Sequence, residues 1–337
     1  MQTITVRFED LDRTFPDLMD QSEFFTQILR KKYHVKVLTG GTEEPDLLIY
    51  SWYGLNNLRW RKCIRIYHTI EQDLPDFNFC DYALGLANIE MPGRFMHFPH
   101  YVFYNNLLQR YESLNTHIDE KQVLNRDFCS YVVSNVSRNT NCRPLDIFHQ
   151  LNKYKQIASG GYWNNNVGGP VKDKLDFIKN YKFNLALENM DVDGYVTEKI
   201  MEPFVTRTIP IYWGNRQVKR EFGEGGYIDI SDFDTVERAI DYIKKVDNDD
   251  QLYMEILRHG PQMPHTYNEW CDRLLDFLSQ AIENGKIIQD SGLYSVLYNQ
   301  RYLFYRIYNS PFGRVYRQYQ RIKNTFLRYK FKQKNGW

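Results

Sequence analysis

The stretch FNLALENMDVDGYVTEKIMEPFVTRTIPIYWGN, residues 183–215, decides how this chain is read. Phe183 to Leu187 is a short β-prone run, and Ile209 to Trp213 is another. Between them, Thr197 to Arg207 carries Ile200, Met201, Phe204 and Val205 at helical spacing. Strand, loop, helix and strand make one βαβ unit, and its first loop empties onto a helix N-terminus. In an open α/β sheet that point attracts anionic ligands, because unpaired N–H groups and the helix dipole both favour negative charge. Tyr195, Glu198 and Lys199 stand there, offering a phenol, a carboxylate and an ammonium. Together they suit a sugar nucleotide, with its base or ribose, its hydroxyls and its diphosphate.

Three ordered motifs carry a resemblance. The first is Phe183, Leu185, Glu188 and Asn189, then Tyr195 to Lys199, then Ile209 to Gly214. The second lies upstream, Tyr67-His68-Thr69-Ile70-Glu71 followed by Pro75 to Gly85. The third is Tyr131-Val132-Val133-Ser134-Asn135. In order and rough spacing they resemble the bacterial α-1,3-fucosyltransferases that modify lipopolysaccharide. The resemblance runs over about residues 60–235. It implies the GT-B architecture: two Rossmann-like doubly wound domains facing a cleft, the first for the acceptor and the second for GDP-fucose.

The residues are compatible with that frame. A chain of 337 residues has room for two ordinary cores. Strands are expected at Ile4–Phe8, His34–Leu38, Asp46–Ser51, Cys63–Tyr67 and Tyr82–Leu86, with a helix at Ser22–Tyr33 that Ser22 could cap. The pattern breaks near Asn125–Arg126, ahead of a strand at Ser130–Ser134. Helices follow at Pro144–Tyr154 and Val171–Tyr181. After the central unit come a strand at Tyr227–Ile230 and helices at Thr235–Asp247, Gln251–Arg258 and Cys271–Glu283. The expected division is 1–126 for the acceptor domain, 127–290 for the donor domain and 291–337 for a basic helical tail.

The net charge of +1 conceals a split. Beyond residue 290 there are ten Lys and Arg and no Asp or Glu, so the first 290 residues hold 33 basic against 42 acidic groups. A mildly acidic body with a strongly basic tail points to a polyanionic partner surface. Tyr294 to Ile307, and the stretch from Val315 to Phe331, mix aromatic and aliphatic residues with Arg and Lys at amphipathic helical spacing. An anionic membrane surface is the expected partner of the far tail, and the near part is expected to pack back on the first domain. A nucleic-acid reading rests on the tail alone and is set aside. The first residues, MQTITVRFEDLD, do not read as a signal peptide, and no apolar run is long enough to span a bilayer. Five scattered cysteines, Cys63, Cys80, Cys129, Cys142 and Cys271, form no CxxC or zinc pattern. The expectation is a cytoplasmic protein, peripheral on the inner membrane face.

Glycosyl transfer from a nucleotide sugar needs a grip on the diphosphate, neutralisation of the leaving group, recognition of the sugar and a base for the acceptor hydroxyl. The resemblance assigns the first two to Lys199 and an arginine. Arg143 is the match, with Arg138 as the alternative. Asn189, Tyr195 and Glu198 line the donor site by the same resemblance, while Glu188 reads either as structural or as part of it. Taken alone, Lys199, Arg143 and Glu198 read as ordinary helix-end charges. Glu71 follows the strand Cys63–Tyr67 in the opposite domain and is the base candidate. The family usually has glycine before this glutamate, where this chain has Ile70. His68 is a weaker acceptor contact, and His97 and His100 read as core or surface histidines. Asp191 and Asp193 look like a metal-binding Asp-x-Asp, but cationic side chains suffice here, so neither metal nor cofactor is expected. The expected reaction is inverting transfer of fucose from GDP-fucose to the 3-hydroxyl of an N-acetylglucosamine or glucose unit. The acceptor would be an N-acetyllactosamine-like glycan, as in lipopolysaccharide O-antigen. The alternatives are a GT-B transferase with another donor and an inactive carbohydrate-binding relative.

Overall fold

Strands buried on both faces need apolar side chains at every position, and Leu47–Tyr50 and Ile209–Trp213 supply them. They become central strands of two parallel sheets. The computed structural model describes residues 1–11, 20–104, 106–134, 143–288, 292–313, 315–316, 318–319 and 323.

The first sheet has six strands: β1 (Thr3–Glu9), β2 (His34–Val37), β3 (Leu47–Tyr50), β4 (Ile64–His68), β5 (Tyr82–Gly85) and β6 (Phe95–His97). Their spatial order is β2-β1-β3-β4-β5-β6, all parallel. The second has β7 (Asp127–Tyr131), β8 (Ala158–Ser159), β9 (Tyr181–Leu187), β10 (Ile209–Trp213) and β11 (Ile228–Asp229). Their order is β11-β10-β9-β7-β8, again all parallel.

Helices connect the strands. They are α1 (Gln21–Arg30), α2 (Leu107–Glu112), α3 (Glu120–Leu124), α4 (Arg143–Tyr154), α5 (Lys174–Ile178), α6 (Glu198–Val205), α7 (Lys219–Phe222), α8 (Val236–Asn248), α9 (Asp250–His259), α10 (Tyr267–Asn284) and α11 (Gly292–Asn309). The cap of α1 is Asp20 and not Ser22: its carboxylate accepts from the backbone N–H groups of Ser22 and Glu23. Helix α5 is shorter than the pattern 171–181 suggests, because Tyr181 already belongs to β9. Helix α10 starts ahead of Cys271, at a capping box between Thr266 and Glu269.

One core joins the halves. Val6, Phe25 and Leu84 of the first sheet region share a cluster with Ala186, Ile200, Phe204 and Tyr212 of the second. Helix α10 crosses back onto α1, where Lys31 pairs with Asp272 and Lys32 with Glu283. Helix α11 lies against the turn Asn56–Arg59. There the Tyr298 hydroxyl donates to the Leu58 carbonyl, and Arg301 pairs with Asp76 at 3.0 Å. The second sheet has its own core around Phe183, Ile211, Ile243 and Tyr253. Among the described residues no helix is long and apolar enough to cross a membrane. Cys63, Cys80, Cys129 and Cys271 are free and buried; Cys142 lies outside the described residues.

Candidate active site

The site forms where β9 ends and α6 begins. Glu188 follows β9 and is wholly buried. Its carboxylate accepts from the Thr197 backbone N–H at 2.8 Å, the Thr197 hydroxyl at 2.9 Å and the Lys199 ammonium at 3.0 Å. Thr197 is also the N-cap of α6, accepting from the Lys199 backbone N–H. Strand end, cap and first helical turn are thereby locked together. Gly214 after β10 makes room for this arrangement: a Cβ there would lie 2.6 Å from Glu188 Cγ and 2.7 Å from the Tyr212 hydroxyl. The two ends of the 183–215 signature thus meet at Glu188.

Lys199 donates to Glu188 and, at 3.0 Å, to Thr197 Oγ1, and its Nζ lies 3.7 Å from Glu198. An ammonium has three donors: two are spent on Glu188 and Thr197, and Glu198 lies within ion-pair range of the group. Burial works against the charge, but the Glu188 and Glu198 carboxylates outweigh it and hold the Lys199 pKa well above the usual lysine range. Glu198 shows the same contest. Burial pushes its pKa up, while Lys199, and then His100, hold it well below the carboxylate range. Both groups therefore stay ionised near neutrality, a cation and an anion side by side at the start of α6.

Tyr195 is buried beside them, its phenol raised by burial and felt by Lys199, Glu188, Glu71 and Glu198. Glu71, from the first half of the chain, is thus brought within electrostatic reach of Tyr195 and the start of α6. Its backbone N–H is held by the Thr69 hydroxyl at 3.1 Å. The halves also touch at Gly194, whose φ of +83° suits glycine and whose Cβ would stand 2.2 Å from the Leu86 carbonyl oxygen. Asn189 is half-buried just past β9. Arg143 opens α4, but its side chain lies outside the described part of the structure, as does Arg138.

His68 is not where an acceptor could reach it. Alternation along β4 turns Ile66 and His68 to one face and Tyr67 to the other. The His68 ring packs edge-on against Phe25 and Phe103, with 1 % exposure. Burial first, and then neighbouring His100, lower its pKa to about 3, so it is a neutral core residue. His100 takes a more direct part, since its Nδ1 lies 3.4 Å from Glu198 Oε2. Sequence reading left His100 as ordinary, because the contact joins distant segments. Lys174 and Glu202 were also missed. Glu202 lies one turn beyond Glu198 on α6, buried and 2.5 Å from Lys174 Nζ. Asp191 pairs with Arg216 at 3.0 Å, and Asp193 accepts from Gln217 and Asn88.

Two family models match this chain. Residues 6–104 match the model of the α-(1,3)-fucosyltransferase FucT N-terminal domain, and residues 122–276 match that of the glycosyltransferase family 10 (fucosyltransferase) C-terminal region. The chain belongs to glycosyltransferase family 10. Among its relatives is the α-(1,3)-fucosyltransferase FucT of Helicobacter pylori, 29% identical over 305 residues. That match covers 78% of this chain and 63% of the relative, so the chain spans a little under two thirds of that protein's length. A crystal structure of an α1,3-fucosyltransferase superposes with a TM-score of 0.72 at 25% identity, covering 84% of this chain and 91% of that one. Another, solved with GDP-fucose, gives 0.72 at 24% identity over 86% and 93%. The fold this family 10 chain shares with them, two parallel sheets in separate halves, is GT-B.

Proposed function

We propose that this family 10 protein is an inverting α-1,3-fucosyltransferase that uses GDP-fucose. One observation carries the reading: the buried Glu188–Thr197–Lys199 network presents a fixed, fully charged ammonium at the N-terminus of α6, with Glu71 nearby from the opposite half. In this mechanism GDP sits with its diphosphate against Lys199 and the helix N-terminus, joined by Arg143. Tyr195 and Asn189 line the donor, and Glu198 accepts hydrogen bonds from fucose hydroxyls. The oxygen of an acceptor 3-hydroxyl attacks the anomeric carbon while the bond from that carbon to the diphosphate breaks. Glu71 takes the hydroxyl proton, and Lys199 and Arg143 neutralise the departing charge, the role a metal fills elsewhere. The acceptor is an N-acetylglucosamine or glucose unit of a glycan of the lipopolysaccharide O-antigen kind, without metal or cofactor.

The outer face of α11 favours work beside a membrane. Val296, Leu303, Phe304 and Ile307 are each more than half exposed, and the sequence beyond adds basic residues. An apolar stripe among cations suits an anionic lipid surface.

The deciding experiment incubates the protein with GDP-fucose and a panel of N-acetylglucosamine, glucose and N-acetyllactosamine, with and without excess chelator, and determines the product linkage. An α-1,3-fucosylated product in both conditions is expected. No transfer from GDP-fucose, or a product of another linkage, would overturn the reading; loss in chelator would restore Asp191 and Asp193 as metal ligands.

A further inference from the structure

We infer that Trp52 and Tyr53 form a stacking platform for the acceptor sugar next to the one being modified, an inference that rests on the proposed transferase reading. The two rings stack with centroids 4.6 Å apart and planes at 27°, yet Trp52 is 52% and Tyr53 36% exposed. Large aromatic side chains normally bury most of their surface, so an exposed, mutually stacked pair is an apolar plate held out to solvent.

The loop that carries the plate is fixed in place. Asp10 accepts from the Asn56 side chain and from both the backbone and side chain of Asn57. Gly54 lies so close to Asp10 that a Cβ would fall 2.2 Å from its Oδ1. Arg65, fully buried, donates to the carbonyls of Asn57 and Trp60. These contacts fix the loop on both sides without covering the indole.

Position names the occupant. Strands β3 and β4 are neighbours, with Tyr50 paired to Tyr67. Trp52 leaves β3 and Glu71 leaves β4 at the same carboxyl edge of the sheet. Neighbouring strands lie about 4.8 Å apart, so the loop that carries the plate and the loop that carries Glu71 leave the sheet side by side. Sugar rings carry an apolar face of C–H groups that packs on aromatic rings, while their hydroxyls stay free for polar partners. A glycan whose reacting unit lies at Glu71 would set its neighbouring ring on Trp52.

The test compares monosaccharide and disaccharide acceptors at saturating GDP-fucose in wild type, Trp52→Ala and Trp52→Phe. Trp52→Ala is expected to raise the disaccharide KM about tenfold. The monosaccharide KM, the GDP-fucose KM and kcat should stay within about twofold, and Trp52→Phe should recover most of the loss. An unchanged disaccharide KM in Trp52→Ala overturns the platform, as does an equal loss with the monosaccharide. If wild type transfers nothing, the transferase reading falls and the platform is judged by saturation-transfer NMR with a panel of β-linked di- and trisaccharides. Contacts present in wild type and absent in Trp52→Ala support it; equal or absent contacts overturn it.

Discussion

His100 Nδ1 lies 3.4 Å from Glu198 Oε2, linking the first half of the chain to the helix that holds the donor motif. Its ring is fixed by Phe103 and Tyr104, so the nitrogen stands beside a carboxylate that burial alone would tend to protonate. His100→Phe keeps the ring packing and removes the polar partner. The wild-type carboxylate has a depressed pKa and loses its charge only as pH falls through that low value. In the variant the loss should come at higher pH, so the acid limb of GDP-fucose binding should shift upward. A binding profile matching wild type at every pH would show that His100 only packs.

Lys199 has two roles that separate by substitution. Under the proposed mechanism Lys199→Ala removes the contact to the diphosphate and should cost roughly 2–5 kcal/mol of transition-state stabilisation. It also strands Glu188 in the interior, costing about 3–5 kcal/mol of folding stability. Adding Glu188→Gln to Lys199→Met should restore much of the stability, measured by urea unfolding, without restoring transfer. Recovery of turnover in the double variant would remove Lys199 from the chemistry. Arg143→Ala should lose activity as Lys199→Ala does; if Arg138→Ala alone is inactive, the arginine role moves there.

Glu71→Gln should abolish transfer and leave GDP binding largely intact. The change keeps the shape and removes only the basic carboxylate. Calorimetry with GDP is the control, and a lost GDP signal would place Glu71 in the donor site or in the fold itself.

Much of this was legible because apolar runs such as Leu47–Tyr50 and Ile209–Trp213 announce central parallel strands. The motif residues from Glu188 to Lys199 are close in sequence, so their meeting could be read from one βαβ unit. Short elements such as β8, α3 and α7 fell below the length at which periodicity speaks. His68 was legible in principle: it shares strand parity with Ile66, which belongs in the core. The His100–Glu198 contact and the Glu202–Lys174 pair were not, because no local spacing encodes a contact between separate loops and helices. The stacking of Trp52 on Tyr53 likewise depends on a loop conformation held by Asp10.

Glu202 should make stability fall as pH rises. Burial first, with the Glu198 charge adding and Lys174 opposing, pushes its carboxyl up to about 7 from 4.5. The folded state therefore holds a proton that the unfolded chain has lost. Stability declines through the window from about 4.5 to 7 and then levels, by roughly 3 kcal/mol in all. Glu202→Gln should remove this slope in urea unfolding, whatever constant cost it carries from the lost Lys174 pair. Parallel pH profiles for variant and wild type would show that Glu202 is ionised throughout.

The tail should divide near Pro311. The inner face of α11 belongs to the catalytic body. Tyr298 packs with Leu58 and Phe79, and the Arg301 guanidinium sits over Phe79 at 3.6 Å. Removing α11 should therefore destabilise the first sheet. Ending the chain after Ser310 leaves those contacts intact and removes eight of the ten basic residues beyond residue 290. Each basic residue near an anionic bilayer contributes about 1 kcal/mol, so the cut protein should lose binding to anionic vesicles. Activity on a soluble acceptor should persist, which would mark the far tail as a locator and not part of the site. Full-length protein that ignores anionic vesicles in a flotation assay would end the membrane reading, and a cut protein inactive on soluble acceptor would put the far tail in the catalytic body.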